Sequence, residues 1–225
     1  RRWRRDAALK DAAFIVHDHS EHGVDAGLLS KDDKTPRAGN LVGRVAALHG
    51  QHSSKLLHAS LGSALREISE LDPPIVLSES TGAARPWSLI KALTQDSRYF
   101  LRHFIVTVDA LNLHRDFGDG SVLIQDYLRT RDAAIDRAAE VLAEQIAFAS
   151  VIILTKVDTI AKDVIEAQVS NLQQLQPAAT IALSAQAGLQ LSQLDGVAPP
   201  NLITLSNKAE KLELVQRNST AENIE

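Results

Sequence analysis

The sequence predicts an α/β domain of three layers, with a mostly parallel sheet between helices. Three observations lead there. Five short apolar runs rich in β-branched residues punctuate the chain, helical patterns separate them, and polar clusters follow three of the runs directly. Runs apolar on both faces suit strands covered on both sides, and strands alternating with helices indicate βα units.

The strands are predicted at Phe14-Ile15-Val16, Ile75-Val76-Leu77, Phe104-Ile105-Val106-Thr107-Val108, Val151-Ile152-Ile153-Leu154 and Thr180-Ile181-Ala182-Leu183. Leu57, Leu61, Leu65 and Ile68 recur at helical spacing and mark one apolar helix face. Ala134, Ala138, Val141, Leu142, Gln145 and Ile146 mark a second. A third helix is predicted over 163–175, ending before Gln176-Pro177, because proline disfavours the helical conformation in the residue ahead of it. Stretch 30–40, which holds Lys, Asp, Thr, Pro and Gly, and stretch 116–121, with two glycines and three polar residues, read as loops. Past Gly196 come Val-Ala-Pro-Pro, an apolar run from Leu202 to Leu205, and a polar tail from Arg217 to Glu225 that reads as a linker or frayed end.

Composition sets outer bounds. The 225 residues are 44% hydrophobic and 23% charged, enough to bury one good core. No run of apolar residues is long enough to span a membrane, and no signal-peptide pattern opens the chain. A net charge of −4 argues against general nucleic-acid binding, and the basic run Arg1-Arg2-Trp3-Arg4-Arg5 reads as a solvated helix face. There is no cysteine, so disulfides and thiolate metal sites are excluded and a reducing compartment is permitted. Nor is there a methionine, even at position 1, which predicts that these residues begin inside a longer chain.

Ligands of open parallel sheets bind at the carboxyl ends of strands. One strand runs straight into Thr155-Lys156-Val157-Asp158, a T-K-x-D tetrapeptide similar to the guanine-recognition motif of GTPases. The chemistry is direct. A carboxylate at Asp158 accepts hydrogen bonds from guanine N1–H and its exocyclic amine, each worth roughly 1.5–3 kcal/mol, whereas adenine offers no such donor pair. The Lys156 stem can lie along the base, and Thr155 can tie the loop to a neighbour. By itself so short a signature also fits a surface loop after a strand. A second strand ends in Glu79-Ser80-Thr81-Gly82. An acidic residue there can reach Mg²⁺ or its water, and a glycine amide can face a γ-phosphate; an exposed turn with a helix N-cap explains the same residues. A third strand runs into His17-Asp18-His19-Ser20-Glu21-His22-Gly23-Val24-Asp25. Carboxylates and imidazoles are the usual oxygen and nitrogen ligands of zinc and related metals, and a polar switch-like loop with exposed histidines is the alternative.

Taken in order, these stretches resemble the CobW, HypB and UreG group of P-loop GTPases, and its CobW-like branch most closely. The acidic loop from His17 to Asp25 is similar to N-E-F-G-E-x-G-x-D, Glu79-Ser80-Thr81-Gly82 to E-T-T-G, and Val106-Thr107-Val108-Asp109-Ala110-Leu111-Asn112 to V-V-D-A-x-N. Glu144 to Ala149 followed by Thr155-Lys156-Val157-Asp158 is similar to E-Q-I-x-x-A-D with N-K-x-D, and Gln176-Pro177-Ala178-Ala179 to N-P-x-A. The resemblance covers about 14–194. It implies a three-layer P-loop NTPase-like fold over 1–195, with 196–225 a linker or the start of a C-terminal region. It also implies a cytoplasmic protein that binds and hydrolyses GTP while delivering metal or inserting a cofactor, with a metalloprotein as client. In that reading Thr155, Lys156 and Asp158 select guanine, Glu79 acts through Mg²⁺, Gly82 senses the γ-phosphate and Asp25 sits in a switch loop. Asp18, Glu21 and His52 become candidate ligands for Zn²⁺, Co²⁺ or Ni²⁺.

Two departures matter. The G-x-x-x-x-G-K-[ST] loop that opens the family, cradling phosphates with backbone amides and a lysine, does not occur in these residues, and an upstream strand and loop are expected to supply it. The branch's C-x-C-C motif is replaced: after His49-Gly50 stand Gln51, His52, Ser53 and Ser54. Neutral serine is a poor ligand for a soft or borderline metal. A histidine–carboxylate site and an inert relic of a cysteine site both remain open. The rival from another class is a non-catalytic metal-binding or interaction scaffold that has lost the phosphate loop. A dinucleotide-binding domain is disfavoured, because no G-x-G-x-x-G follows any strand.

Overall fold

The computed structural model describes residues 9, 11–18, 41–42, 45–49, 54–82, 84–94, 98–128, 137–186 and 190–222. The predicted loop over 30–40 and the first residues of the predicted helix at 134–146 lie outside them. Contacts divide the chain into two compact units, 1–100 and 101–225.

The first unit holds β1 (Ala13–Asp18), β2 (Leu41–Val42), β3 (Val45–His49), α1 (Ser54–Ser69), β4 (Val76–Glu79) and α2 (Pro86–Leu93). Its strands lie in the order β2-β3-β1-β4. β1 runs parallel to both β3 and β4, and only the two-residue β2 is antiparallel to its neighbour. On the periodic α1 face Leu61, Leu65 and Ile68 are buried as predicted, with Ala13 and Ile15 of β1, Ala46 and Leu48 of β3, and Leu89 and Ala92 of α2; the side chain of Leu57 lies outside what the structure describes. β1 also buries its other face, where Val16 meets Val45 and Ala47. Pro86 opens α2 at its first turn, where a missing N–H costs nothing.

The second unit holds β5 (Ile105–Asp109), α3 (Ala110–Phe117), a 3₁₀ turn at Gly118–Gly120, α4 (Ser121–Leu128) and α5 (Arg137–Phe148). β6 (Val151–Thr155), a 3₁₀ turn at Val157–Thr159, α6 (Lys162–Leu175), β7 (Thr180–Ser184), a 3₁₀ turn at Leu191–Leu194 and α7 (Leu202–Glu222) complete it. The sheet order is β5-β6-β7, all parallel. β6 is the middle strand, and Val151 to Leu154 are all buried. Burying each such aliphatic side chain contributes about 1.5–3 kcal/mol. Val106, Val108, Leu113, Leu123, Ile146, Ile152, Leu154 and Leu172 form one core between the sheet and its helices.

The predicted loop over 116–121 is a corner between two helices. Gly118 (φ 52°) closes α3 in the left-handed conformation that suits glycine there. Gly120 (φ 94°) lets α6 come close, since a Cβ at that position would lie 3.3 Å from Cβ of Asn171. α6 ends before Gln176-Pro177 as the sequence predicts. The last turn of α5 leaves carbonyls without helical partners. That of Ala147 accepts from Gln176 Nε2 at 2.6 Å and from Lys208 Nζ of α7 at 2.5 Å. Lys208 is held below the usual lysine range by burial. α7 starts where Asn201 Oδ1 accepts from the Thr204 amide at 3.1 Å, and it continues through Arg217 to Glu222, where the sequence reads as a polar tail. No proline or glycine interrupts 202–222, so nothing local stops the helix.

Candidate functional site

Parallel pairing brings the carboxyl ends of β5, β6 and β7 into one row, with Asp109 opposite Thr155 and Thr155 opposite Ser184. The T-K-x-D segment leaves the sheet from the middle of that row. Thr155 Oγ1 donates to the Val108 carbonyl at 3.1 Å, tying the loop's root to β5. Lys156 then turns the chain through the left-handed region (φ 58°), a conformation that costs a non-glycine residue about 1–2 kcal/mol. Three hydrogen bonds hold it there. The Thr159 amide and Oγ1 donate to the Lys156 carbonyl at 3.0 and 2.7 Å, and Lys156 Nζ donates to Asp109 Oδ2. Asp158 sits on the following 3₁₀ turn, exposed, and pairs with no described residue.

Asp109 uses both of its carboxylate oxygens. Oδ2 takes the lysine, while Oδ1 accepts the Leu111 and Asn112 amides at 3.0 and 3.2 Å and so caps α3. Partial burial alone would raise its pKa. The Lys156 hydrogen bond and charge, with the two amides, outweigh that and hold the carboxyl below the usual aspartate range. Behind it stands Gln168 of α6, fully buried, whose Nε2 donates to the Ala110 carbonyl at 2.8 Å and to Asp119 Oδ1 at 3.0 Å. His114 Nδ1 meets the same carboxylate oxygen at 2.9 Å, and Asn171 Nδ2 donates to the Asp119 carbonyl at 3.0 Å.

In the first unit, Glu79 is the last residue of β4, pairs in register with Val16 and is exposed. Gly82 lies on the turn after it. Its φ is not positive, and a Cβ there would meet no described atom within 4 Å. Asp18 ends β1 and is the register partner of His49 at the end of β3. Glu21, Asp25 and His52 lie outside the described residues. Among the described residues no three His, Asp or Glu side chains gather as a metal set, and no helix is long and apolar enough to cross a membrane.

Thr155, Lys156 and Asp158 are therefore brought together at one loop, and Glu79 with Gly82 at another. Sequence reasoning passes over two features of the first row. Asp109 is quoted within a motif but given no role; its signal is an acid at a strand end, directly ahead of a helix. Ser184, buried at the end of β7, is the third polar residue in the row, and Gln186 (φ 49°) turns the chain just after it.

Comparison with known proteins adds the lineage. The family model described as CobW/HypB/UreG, nucleotide-binding domain, matches residues 4–182. The chain belongs to this family. No curated protein sequence matches it. Among solved structures, a Zn(II)-bound triple mutant of YjiA GTPase aligns over 86% of this chain and 59% of its own, with 17% identity and a TM-score of 0.51. Zn(II)-bound YjiA GTPase from E. coli aligns over 84% of this chain and 65% of its own, at 15% identity and a TM-score of 0.49. This chain thus spans less than two thirds of the length of either. The family match and the first of these likenesses agree with the sheets described above: parallel strands flanked by helices, in the manner of P-loop NTPases.

Proposed function

We propose that this chain is the guanine-binding part of a CobW-like GTPase that couples GTP hydrolysis to metal delivery. The single observation that supports it best is the T-K-x-D loop. It is fastened to the neighbouring strand by Thr155 and Lys156, while Asp158 is exposed and unpaired with any described residue. A free carboxylate on a braced loop at a strand end suits a base edge with two adjacent N–H donors. Guanine has that edge and adenine does not. The Lys156 stem would lie along the base.

In the first unit Glu79 would reach Mg²⁺ or its water, Gly82 would present its amide to the γ-phosphate, and Asp25 would serve the switch loop. A hard carboxylate donor at Glu79 fits Mg²⁺, which supplies neutralisation of phosphate charge when bound. The residues otherwise act by positioning, since no described side chain is an evident general base. Zinc, cobalt or nickel would be cargo, met by Asp18, Glu21 and His52 and passed to a metalloprotein client. Carboxylate and imidazole donors suit those ions.

Replacing Asp158 by Ala in the full-length protein should weaken GTP binding by about 2–3 kcal/mol, the worth of the charged hydrogen bonds and of the stranded donors. Binding of ATP should not change. Calorimetric titration with both nucleotides measures this. Equal affinity for GTP and ATP, or an Ala variant that binds GTP as well as the parent, overturns the guanine reading.

A further inference from the structure

We propose that Asp109 is a positioning residue for nucleotide selectivity, acting through Lys156 rather than touching the base itself. The inference rests on the guanine reading of the T-K-x-D loop.

Three observations carry it. The carboxylate of Asp109 is divided between two tasks, Oδ1 on the α3 amides and Oδ2 on Lys156 Nζ. Capping α3 alone needs one oxygen, and Asn or Ser would supply it. A carboxylate is required only for the second task. Next, Lys156 holds a left-handed conformation that an L residue with a long side chain rarely adopts unaided. Its ammonium is anchored across the row to β5, so the side-chain contact opposes the backbone's tendency to relax. Last, Asp158 follows Lys156 by two residues, and no described side chain fixes it. Its placement depends on the turn that Lys156 makes.

The consequence is a division of labour. Asp158 reads the base, Lys156 sets the turn that presents Asp158, and Asp109 holds Lys156. Gln168 adds rigidity from behind, because its fully buried amide grips the carbonyl of Ala110, the residue next to Asp109. Without the Asp109 charge the lysine is released, the turn samples other conformations, and discrimination between guanine and adenine falls. Contacts with the ribose and phosphates, common to both nucleotides, are untouched.

The test is a double-mutant cycle in the full-length protein, with GTP and ATP affinities measured by calorimetry for the parent, Asp109→Asn, Lys156→Gln and the pair. Asp158→Ala is measured beside them. Asp109→Asn keeps the helix cap, so its melting temperature should stay close to the parent's. Its GTP affinity should drop roughly tenfold while ATP affinity changes far less, and the pair should be no worse than Lys156→Gln alone, as for residues that act as one contact. A cap-only role predicts otherwise: GTP and ATP affinities that fall together, effects of the two single changes that multiply, or no change at all in Asp109→Asn. Any of these overturns the proposal while leaving Asp158→Ala deficient in GTP binding. If Asp158→Ala binds GTP as the parent does, the guanine reading fails and this inference fails with it. Should Asp109→Asn not be recovered folded, Asp109→Ser, also a competent cap, takes its place in the cycle.

Discussion

Asp109 shows how little of a residue's worth lies in its most visible contact. Its ion pair with Lys156 joins a side chain 21% exposed to one 58% exposed, and such surface pairs contribute about 0.2–1 kcal/mol to stability. Its cap on α3 contributes about 0.5–2 kcal/mol. Asp109→Asn, which retains the cap, should therefore cost under about 1 kcal/mol, and Asp109→Ala about 1–3 kcal/mol, measured by urea denaturation near pH 7. The pH dependence follows from the lowered pKa. A carboxyl held below its ordinary value stabilises the fold above the unfolded value of about 3.9, and that contribution fades as pH falls through the lower folded value. The gap between parent and Asn variant should be constant from pH 7 to about pH 5 and close in acid below about pH 4. A gap that widens in acid contradicts the ion pair.

At the scale of elements, the buried corner where α6 meets α3 and α4 backs the row of strand ends from which the T-K-x-D loop leaves. Gln168 is completely buried; its Nε2 serves two acceptors, and its Oε1 meets no described partner. Gln168→Leu removes that orphan oxygen with the two bonds and should cost about 1–2 kcal/mol. Gln168→Glu is the harsher change despite its shape. It replaces a donor with a carboxylate facing the Asp119 carboxylate and the Ala110 carbonyl, all acceptors. Its charge should cost roughly 3 kcal/mol or more at neutral pH, and much of that loss should be relieved in acid as the new carboxyl takes up a proton. Chemical denaturation of both variants at two pH values separates them; a Glu variant milder than the Leu variant contradicts this packing. The same corner shows what the sequence makes legible. Asp109 as cap and Gly118 as terminator bracket α3, yet the D-A-x-N resemblance draws the eye to a strand end and away from a helix start. β3 escapes for a different reason. Val45-Ala46-Ala47-Leu48-His49 carries two alanines of low strand propensity, and burial beside β1 decides its conformation. Strand β6 is legible because burial on both faces demands a continuous apolar run; β5 and β7 show as runs of apolar and β-branched residues although Thr107 and Leu183 are exposed. The bracing of Lys156 is not legible, since it joins residues 47 positions apart through the pairing of two strands.

Across the whole chain, one compositional fact constrains any metal chemistry. Its 225 residues contain eight histidines and no cysteine, so zinc held by this chain must rest on nitrogen and oxygen donors. Parallel pairing in the first unit brings the backbones of Asp18 and His49 side by side at the ends of β1 and β3. These are the roots of the two segments that carry Glu21 and His52. Such donors bind zinc without the thiolate contribution that strengthens cysteine sites. Imidazole must also be neutral to coordinate, so protons compete with the metal. Zinc affinity, measured by competition against a chelator of known strength, should therefore be weaker than that of a cysteine-containing relative. It should decline as pH falls through about 6.5, the ordinary imidazole value. Replacing Glu21 and His52 together by Ala should abolish the strongest site while leaving the GTP affinity of the full-length protein near its parental value, because neither residue belongs to the T-K-x-D row. Unchanged zinc stoichiometry in that double variant would move the site to other residues. Tight binding that ignores pH would contradict an imidazole site altogether. No zinc binding at any pH would mark the segment after His49 as an inert relic and remove metal delivery from the proposed function, with guanine recognition standing on Asp158 alone.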